Sequence, residues 1–380
     1  MWNPQTIPDV RSWKLRQRDW EMVALIVAIK LIVIYFGLQA YEAVANARVP
    51  SGVNSLQVWN RWDSPGYLSV AQHGYSNAHD ARFQLVLLPF YPLCVRIVAV
   101  LARNYFLSGL IVSTIGTLAA GILLQRLTRF DASPSIARRA VWFMLIFPTS
   151  FFLHIPYAES LFLALAIGSF YAARVERWAM VGVLGACAGM TRVNGMLLIP
   201  CLMIEALQRY RAAGKWRWQW LFTLAPIVGF AVYLFINYHV AGDPLAFLQV
   251  QHEHWSKSLD WPWKGLHGSI DLMLRGKPPT DAVIRGTQEI MFVALGLACT
   301  IASWLTLRPA YSVWMTLNWL LFTSVGFVLC VPRYTLVMFP IFILLAKVAR
   351  RQFWAATITS WSLLVLALFI VLFVRGWWVS

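Results

Sequence analysis

Charged residues are scarce in this chain of 380 residues. Asp, Glu, Lys and Arg make up 13% of it, whereas hydrophobic residues make up 59% and the mean hydropathy is +0.61. Because charged residues form about 25% of a typical soluble domain, an ordinary soluble fold is excluded. Runs of alternating polar and apolar residues are also lacking, which excludes an outer-membrane barrel. The chain instead has apolar stretches of roughly 17–23 residues, each able to cross a ~30 Å hydrocarbon core as a helix, so the sequence predicts an all-α polytopic membrane protein.

Acidic residues are scarcer than basic ones, 16 against 32, which gives a net charge of +16. In a soluble protein this excess would suggest a nucleic-acid partner. Here most basic residues lie just beyond apolar stretches, in 11–18, 126–139, 209–217 and 347–351. That distribution is the positive-inside pattern of integral membrane proteins. We therefore expect a membrane environment and no nucleic acid.

A single integral-membrane domain, residues 1–380, with eleven or twelve spans is predicted. The first span runs from Trp20 to about Tyr41. A signal peptide cleaved near Ala45-Asn46-Ala47 is the alternative, but the apolar run is too long for one. Two polar stretches, 42–82 and 241–287, are expected on the outer face and are called the first and second outer loops. Further apolar segments lie near 84–102, 104–126, 140–154, 160–173, 178–190, 194–208, 218–240, 288–307, 311–330, 334–348 and 353–375.

One conflict with the positive-inside rule concerns two adjacent segments. If 84–102 and 104–126 both cross the membrane, the arginines of 126–139 fall on the outer face. The segment 84–102 contains Pro89, Pro92 and Arg96 and would cross poorly. We therefore expect it to be re-entrant or interfacial.

Asp63 in the first outer loop is the acid with the most suggestive surroundings. Ser64 and Pro65 favour a helix start and Gly74 favours a stop, so a short surface helix is predicted over 65–73. A helix cap or dipole partner is one interpretation of Asp63, with about the same weight as a functional one. Trp59, Arg61 and Trp62 beside it favour the functional interpretation.

Several motifs in a fixed order resemble the PIG-V family, the dolichyl-phosphate-mannose-dependent glycosylphosphatidylinositol mannosyltransferases and their prokaryotic relatives. The resemblance covers nearly the whole chain and rests on Trp62-Asp63, Tyr67, His73-Gly74-Tyr75, Leu88-Pro89-Phe90-Tyr91-Pro92, Phe147-Pro148-Thr149-Ser150, Pro156-Tyr157-Ala158-Glu159-Ser160, Thr191-Arg192-Val193-Asn194-Gly195, Gly242-Asp243-Pro244-Leu245-Ala246-Phe247 and Pro332-Arg333-Tyr334. It implies a GT-C glycosyltransferase fold, a polyprenyl-phosphate sugar donor and a catalytic acid in the first outer loop. That acid maps onto Asp63.

The other candidate site residues are cations and polar side chains of the same motifs. Arg192 and Arg333 are predicted in outward turns, against the positive-inside trend, which favours phosphate binding over solvation of a helix end. Arg61 is assigned to the donor phosphate as well. Glu159 is either a substrate ligand or an acid at a helix start. The remaining substrate-binding candidates are Trp62, Tyr67, His73, Tyr157 and Asn194.

No metal or other cofactor is expected. Many GT-C enzymes carry paired acids, whereas here no acid adjoins Asp63 and the nearest one downstream is Asp80. The sequence His252-Glu253-His254 does not have zinc-protease spacing. The five cysteines lie in or beside apolar stretches without metal-ligand spacing.

The sequence thus predicts an inverting glycosyltransferase that moves a sugar, by resemblance mannose, to a lipid-linked or membrane-proximal glycan. Its site would face the extracytoplasmic or lumenal side of the plasma membrane in a prokaryote, or of the endoplasmic reticulum in a eukaryote. A transporter or lipid flippase is the rival prediction, since composition alone allows it. A non-catalytic assembly partner is a weaker third.

Overall fold

The protein is helical throughout the residues that its computed structural model describes, which are 17–45, 48, 52–78 and 81–379. The basic residues 11–16, Asn46-Ala47 and Asp80 lie outside them. In the described chain there is no β-strand, and a lone antiparallel bridge joins Leu259 to Val325. The prediction of an all-α protein is confirmed.

Seventeen α-helices follow one another in the described chain. They are α1 (Gln17–Ala45), α2 (Asp63–His73), α3 (Phe90–Ala102), α4 (Tyr105–Thr128), α5 (Pro134–Ile146), α6 (Glu159–Arg174), α7 (Trp178–Thr191), α8 (Leu198–Ala213), α9 (Pro226–Ala241), α10 (Ala246–Trp255), α11 (Pro262–Arg275), α12 (Pro279–Asp281), α13 (Gln288–Thr306), α14 (Pro309–Thr323), α15 (Val331–Thr335), α16 (Pro340–Val348) and α17 (Gln352–Val374). Short 3-10 helices at Gly52–Trp59, Arg82–Val86, Ser150–Leu153, Val193–Leu197 and Trp218–Leu224 connect some of them.

Five helical segments of the described chain are long and apolar enough to cross a membrane alone. They are Asp19–Val44, Tyr105–Thr128, Trp218–Ala241, Pro279–Thr306 and Gln352–Val374. The other predicted spans form shorter helices, so eleven or twelve full-length spans are not found by this measure. The predicted span 334–348, for example, is divided into α15 and α16, and Pro340 begins the second piece. Proline starts a helix readily but cannot continue one.

The lengths of the helices in 84–102 and 104–126 bear on the conflict of these two segments with the positive-inside rule. Residues 84–102 are broken into a 3-10 turn and α3, whose 13 residues rise about 20 Å, less than a ~30 Å hydrocarbon core. The 24-residue α4 is long enough to cross. Arg126 near its end lies 2.5 Å from Asp19 at the start of α1, so these two ends share a face. These lengths fit the expectation that 84–102 does not cross, an arrangement that would keep the arginines of 126–139 on the basic face.

The buried centre of the fold is α6, which packs closely on α4. Nearly every residue of α6 is buried, including Glu159 at its first position. A Cβ at Gly116 of α4 would lie 2.7 Å from the backbone nitrogen of Leu161, so the close approach requires glycine there. This packing fixes the start of α6 and the residues that gather around it.

Candidate active site

Four charged side chains from distant parts of the chain meet at the start of α6. Arg333 Nη1 donates to Asp63 Oδ2 at 2.7 Å, and Arg192 Nη1 donates to Glu159 Oε1 at 2.5 Å. Arg333 Nε lies 3.2 Å from the same Glu159 oxygen. Glu159 therefore links the two arginines, and the four side chains form one ionic cluster.

Burial makes this ionic cluster unusual. Glu159 is 1% exposed and the Arg333 side chain 10%, whereas Asp63 retains 21%. A buried charge is costly unless it is paired, and here two carboxylates balance two guanidiniums. Asp63 is the more accessible of the two acids.

Arg192 and Arg333 each have N–H groups besides the one that is bonded to a carboxylate. A guanidinium carries five N–H groups, and each arginine uses one of them in a hydrogen bond to a carboxylate. Arg333 Nε and Glu159 Oε2 are buried without a hydrogen-bond partner among the described residues. The cluster thus has directed polar groups that a ligand with phosphate oxygens and hydroxyl groups would satisfy.

Asp63 is placed by the turn that begins α2. The helix starts two residues before the predicted Ser64-Pro65 start, and no side chain caps it. Ser64 donates instead to Asn60 Oδ1 at 2.9 Å. Trp62 has φ 59° and ψ −112°, a conformation that costs a bulky residue about 1–3 kcal/mol. Such strain is typical of functional turns, and the Asp63 carboxylate faces Arg333 rather than acting as a helix cap.

The other end of α2 is held by Arg96. Its Nε donates to the carbonyl of Ala71 at 2.6 Å and its Nη2 to that of Gln72 at 3.1 Å. These carbonyls lie in the last turn of α2, where a cation also favours the helix dipole. Arg96, which is costly within an apolar segment, therefore anchors the helix that begins with Asp63.

Aromatic side chains form the wall of the site beside Asp63. Tyr157 donates from its hydroxyl to the Arg61 carbonyl at 2.9 Å and accepts from the Asp63 backbone N–H at 3.3 Å. The Tyr67 ring packs against Tyr157 and Tyr91. Burial raises the pKa of Tyr67, with Glu159 adding to the shift, so this hydroxyl stays protonated. Burial likewise raises the pKa of Tyr157, and the negative charge of Asp63 raises it further.

Arg333 is positioned by an acid that the sequence reasoning did not select. Glu289 of α13 accepts the backbone N–H groups of Cys330 at 2.7 Å and Val331 at 2.8 Å. Cys330 has φ 75°, so a strained residue precedes α15, as the strained Trp62 precedes α2. The carboxylate sits at the start of α15 and fixes the short helix that bears Arg333. An acid at the start of an apolar span was its one signal in the sequence.

Four predicted site residues take no part in the ionic cluster or in its aromatic wall. The Arg61 side chain donates to the Val58 carbonyl at 3.0 Å, and its Nη1 lies beside Gly376. His73 is exposed at the far end of α2, about 15 Å along the helix from Asp63. Asn194 donates to Asn318 Oδ1 at 2.7 Å in a buried amide pair. Trp62 adjoins Asp63, but its ring is 40% exposed and packs edge-on against Trp378.

The acids and histidines of the second outer loop form no metal-type group. Glu253 pairs with Arg82 at 2.8 Å, and its two neighbouring histidines are exposed. Across the described ranges, no three side chains of His, Cys, Asp or Glu are grouped as metal ligands. The ionic cluster offers cations and single carboxylates instead.

A family model agrees with the resemblance in the motifs. A family model described as Mannosyltransferase (PIG-V) matches residues 35–250, and no curated protein matches the chain. The fold is similar to that of ArnT from Cupriavidus metallidurans bound to undecaprenyl phosphate, with 16% identity, a TM-score of 0.49, and coverage of 94% of this chain and 73% of ArnT. It is also similar to that of the Archaeoglobus fulgidus oligosaccharyltransferase in a complex with Zn and sulfate, with 11% identity and a TM-score of 0.43. That match covers 93% of this chain and 53% of the oligosaccharyltransferase, so the chain spans about half its length.

The matched residues include Asp63, Glu159 and Arg192. Because the match extends over more than half of the sequence, the chain belongs to the PIG-V family of mannosyltransferases and is a membrane glycosyltransferase.

Proposed function

We propose that this glycosyltransferase transfers mannose from a polyprenyl-phosphate donor to a lipid-linked or membrane-proximal glycan, with inversion at the anomeric carbon. The observation that supports the proposal is the contact between Asp63 and Arg333 within a buried cluster of two acids and two arginines. A carboxylate can accept a proton, and paired guanidiniums bind phosphate. Both chemical functions lie side by side here.

In the proposed reaction Asp63 accepts the proton of the acceptor hydroxyl as its oxygen attacks the anomeric carbon. The bond from that carbon to the phosphate oxygen breaks, and the lipid phosphate leaves with the electron pair. A single displacement inverts the configuration. Glycosidases need a second carboxyl group to protonate the leaving group, whereas a phosphate with a second pKa near 6 leaves as an anion. Arg192 and Arg333 stabilise that anion.

The basic segments support an extracytoplasmic site. The ion pair between Arg126 and Asp19 joins the start of α1 to the end of α4 on the basic face. Asp63 follows the opposite end of α1, and the positive-inside rule assigns that end to the outer side. Attack there suits a lipid-linked or membrane-proximal acceptor.

Transfer to lipid acceptors tests the proposal directly. Purified protein is incubated with radiolabelled polyprenyl-phosphate mannose, or with the glucose equivalent, and a membrane lipid extract. We expect a labelled glycolipid from the mannose donor, and Asp63→Asn to lower turnover at saturating donor about 10²–10⁴-fold. Asp271→Asn is the matched control, because this exposed acid pairs with Arg275 one turn away. Near-wild-type turnover of Asp63→Asn would remove it from catalysis, and lipid movement without any product would favour the transporter.

A further inference from the structure

Lys257 of the second outer loop reaches the chain segment that carries Arg333. Its Nζ donates to the Tyr334 hydroxyl at 3.2 Å and to the Leu329 carbonyl at 3.3 Å. The loop is fixed there by backbone hydrogen bonds, from Asp260 N–H to the Ser324 carbonyl and from Gly326 N–H to the Ser258 carbonyl. The position of Lys257 is therefore set by pairing between two distant segments.

The ring of Tyr334 brings Lys257 together with the arginines of the ionic cluster. Lys257 Nζ lies 5.1 Å from the ring centroid, and the Cζ atoms of Arg192 and Arg333 each lie 5.6 Å from it. All three distances are within the range of cation–π contacts. Three cations thus contact the ring of Tyr334. Arg192 and Arg333 belong to the family motifs, and Lys257 belongs to the second outer loop.

Lys257 has different partners from the two arginines. Arg192 and Arg333 are paired with Glu159 and Asp63, whereas both hydrogen bonds of Lys257 go to neutral oxygens. The charge of Glu289 also acts on Lys257, but both oxygens of this carboxylate are bonded to the backbone N–H groups of Cys330 and Val331. Among the described residues, Lys257 therefore keeps an N–H group that no carboxylate engages, and an ammonium group beside two arginines suits a phosphate oxygen.

We propose that Lys257 binds the phosphate group of the polyprenyl-phosphate donor, an inference that rests on the proposed function. An ammonium group has three N–H donors, and two are used here, so one remains for a phosphate oxygen. The second outer loop therefore contributes directly to donor recognition.

Binding measurements on the full-length protein test Lys257 without relying on turnover. Intrinsic tryptophan fluorescence is followed as a short-chain polyprenyl phosphate, or the same polyprenol without phosphate, is titrated into protein in detergent. We expect Lys257→Gln to weaken polyprenyl-phosphate binding about 10- to 100-fold, as for loss of a charge-assisted hydrogen bond. Lys257→Arg should retain most of the affinity. Lys264→Gln is the control, since this exposed lysine of the same loop pairs with Asp260.

The outcomes separate this inference from the proposed function. If wild type binds polyprenyl phosphate and Lys257→Gln binds it equally well, Lys257 is not a phosphate ligand and the proposed donor stands. An equal loss of polyprenol affinity in Lys257→Gln would also overturn the inference, because it would show a general disturbance of the loop. If wild type binds polyprenyl phosphate no better than polyprenol, the proposed donor itself is wrong.

Discussion

Replacing Glu159 by Gln removes the charge that links the two arginines and keeps the shape of the side chain. Two explanations of this acid make different predictions. As an acid at the start of α6 it would contribute about 0.3–1 kcal/mol through the helix dipole, and at most ~2 kcal/mol when partly buried. As the link between Arg192 at 2.5 Å and Arg333 at 3.2 Å it would contribute more.

The magnitude follows from burial. Glu159 is 1% exposed and the two arginine side chains 11% and 10%, so solvent screens the pairs weakly. Breaking a buried ion pair by removing one partner costs about 3–5 kcal/mol, because the other charge stays buried and unpaired. We expect a loss of this size for Glu159→Gln. A bound phosphate should recover part of it, since it neutralises the same guanidiniums.

Thermal unfolding of Glu159→Gln, with and without a polyprenyl phosphate, measures both effects. The ligand should raise the melting temperature of the variant more than that of wild type. Glu253→Gln is the matched control, because Glu253 pairs with Arg82 at 2.8 Å but is 49% exposed, and such a pair contributes about 0–1 kcal/mol. Glu159 does not link the two arginines energetically if Glu159→Gln loses no more stability than this control and the ligand raises its melting temperature as much as that of wild type.

Two further predictions concern the anchoring of α2 and the orientation of the chain. Arg96→Gln removes the charged hydrogen bonds to Ala71 and Gln72. We expect the free energy of unfolding to fall by about 1.5–3 kcal/mol, and steady-state kinetics to show a drop in kcat larger than the change in donor affinity. An unchanged kcat would show that α2 needs no anchor. Single cysteines are introduced into a cysteine-free background at the exposed positions Gln57, Gly268 and Arg351. We expect the first two to react with an impermeant thiol reagent in intact cells, and the third to react only after permeabilisation. The reverse pattern would contradict the proposed orientation.

The sequence predicts the members of the ionic cluster better than their arrangement. Arg192 and Arg333 stand out because outward arginines oppose the positive-inside rule, and Asp63 because it lies among aromatic residues in an outer loop. Their pairing could not be predicted, since Asp63 and Arg333 are 270 residues apart in the chain. Arg61 is the opposite case, because it lies close to Asp63 in sequence while its side chain donates to the Val58 carbonyl.

Residues that act through backbone contacts leave little trace in the sequence. Arg96 and Glu289 bind main-chain groups of elements far from them in the chain, so neither spacing nor motif reveals their partners. The position of Lys257 depends on hydrogen bonds between the second outer loop and the segment 324–326, and no periodic sequence pattern predicts such bonds. The helices themselves were predictable because apolar length alone forces a helix in lipid. The proline breaks at 89 and 340 shortened two of them more than apolar length suggested.

The charges of the site give the proposed reaction a simple electrostatic logic. The two acids and two arginines of the ionic cluster balance each other before the donor binds. During transfer Asp63 gains a proton and loses its charge, while the leaving phosphate gains one. The negative charge therefore moves from one side of Arg333 to the other and the total stays constant. Because the guanidinium already contacts Asp63 and has donors to spare, it can stabilise both states without reorganisation, which is the main requirement of electrostatic catalysis.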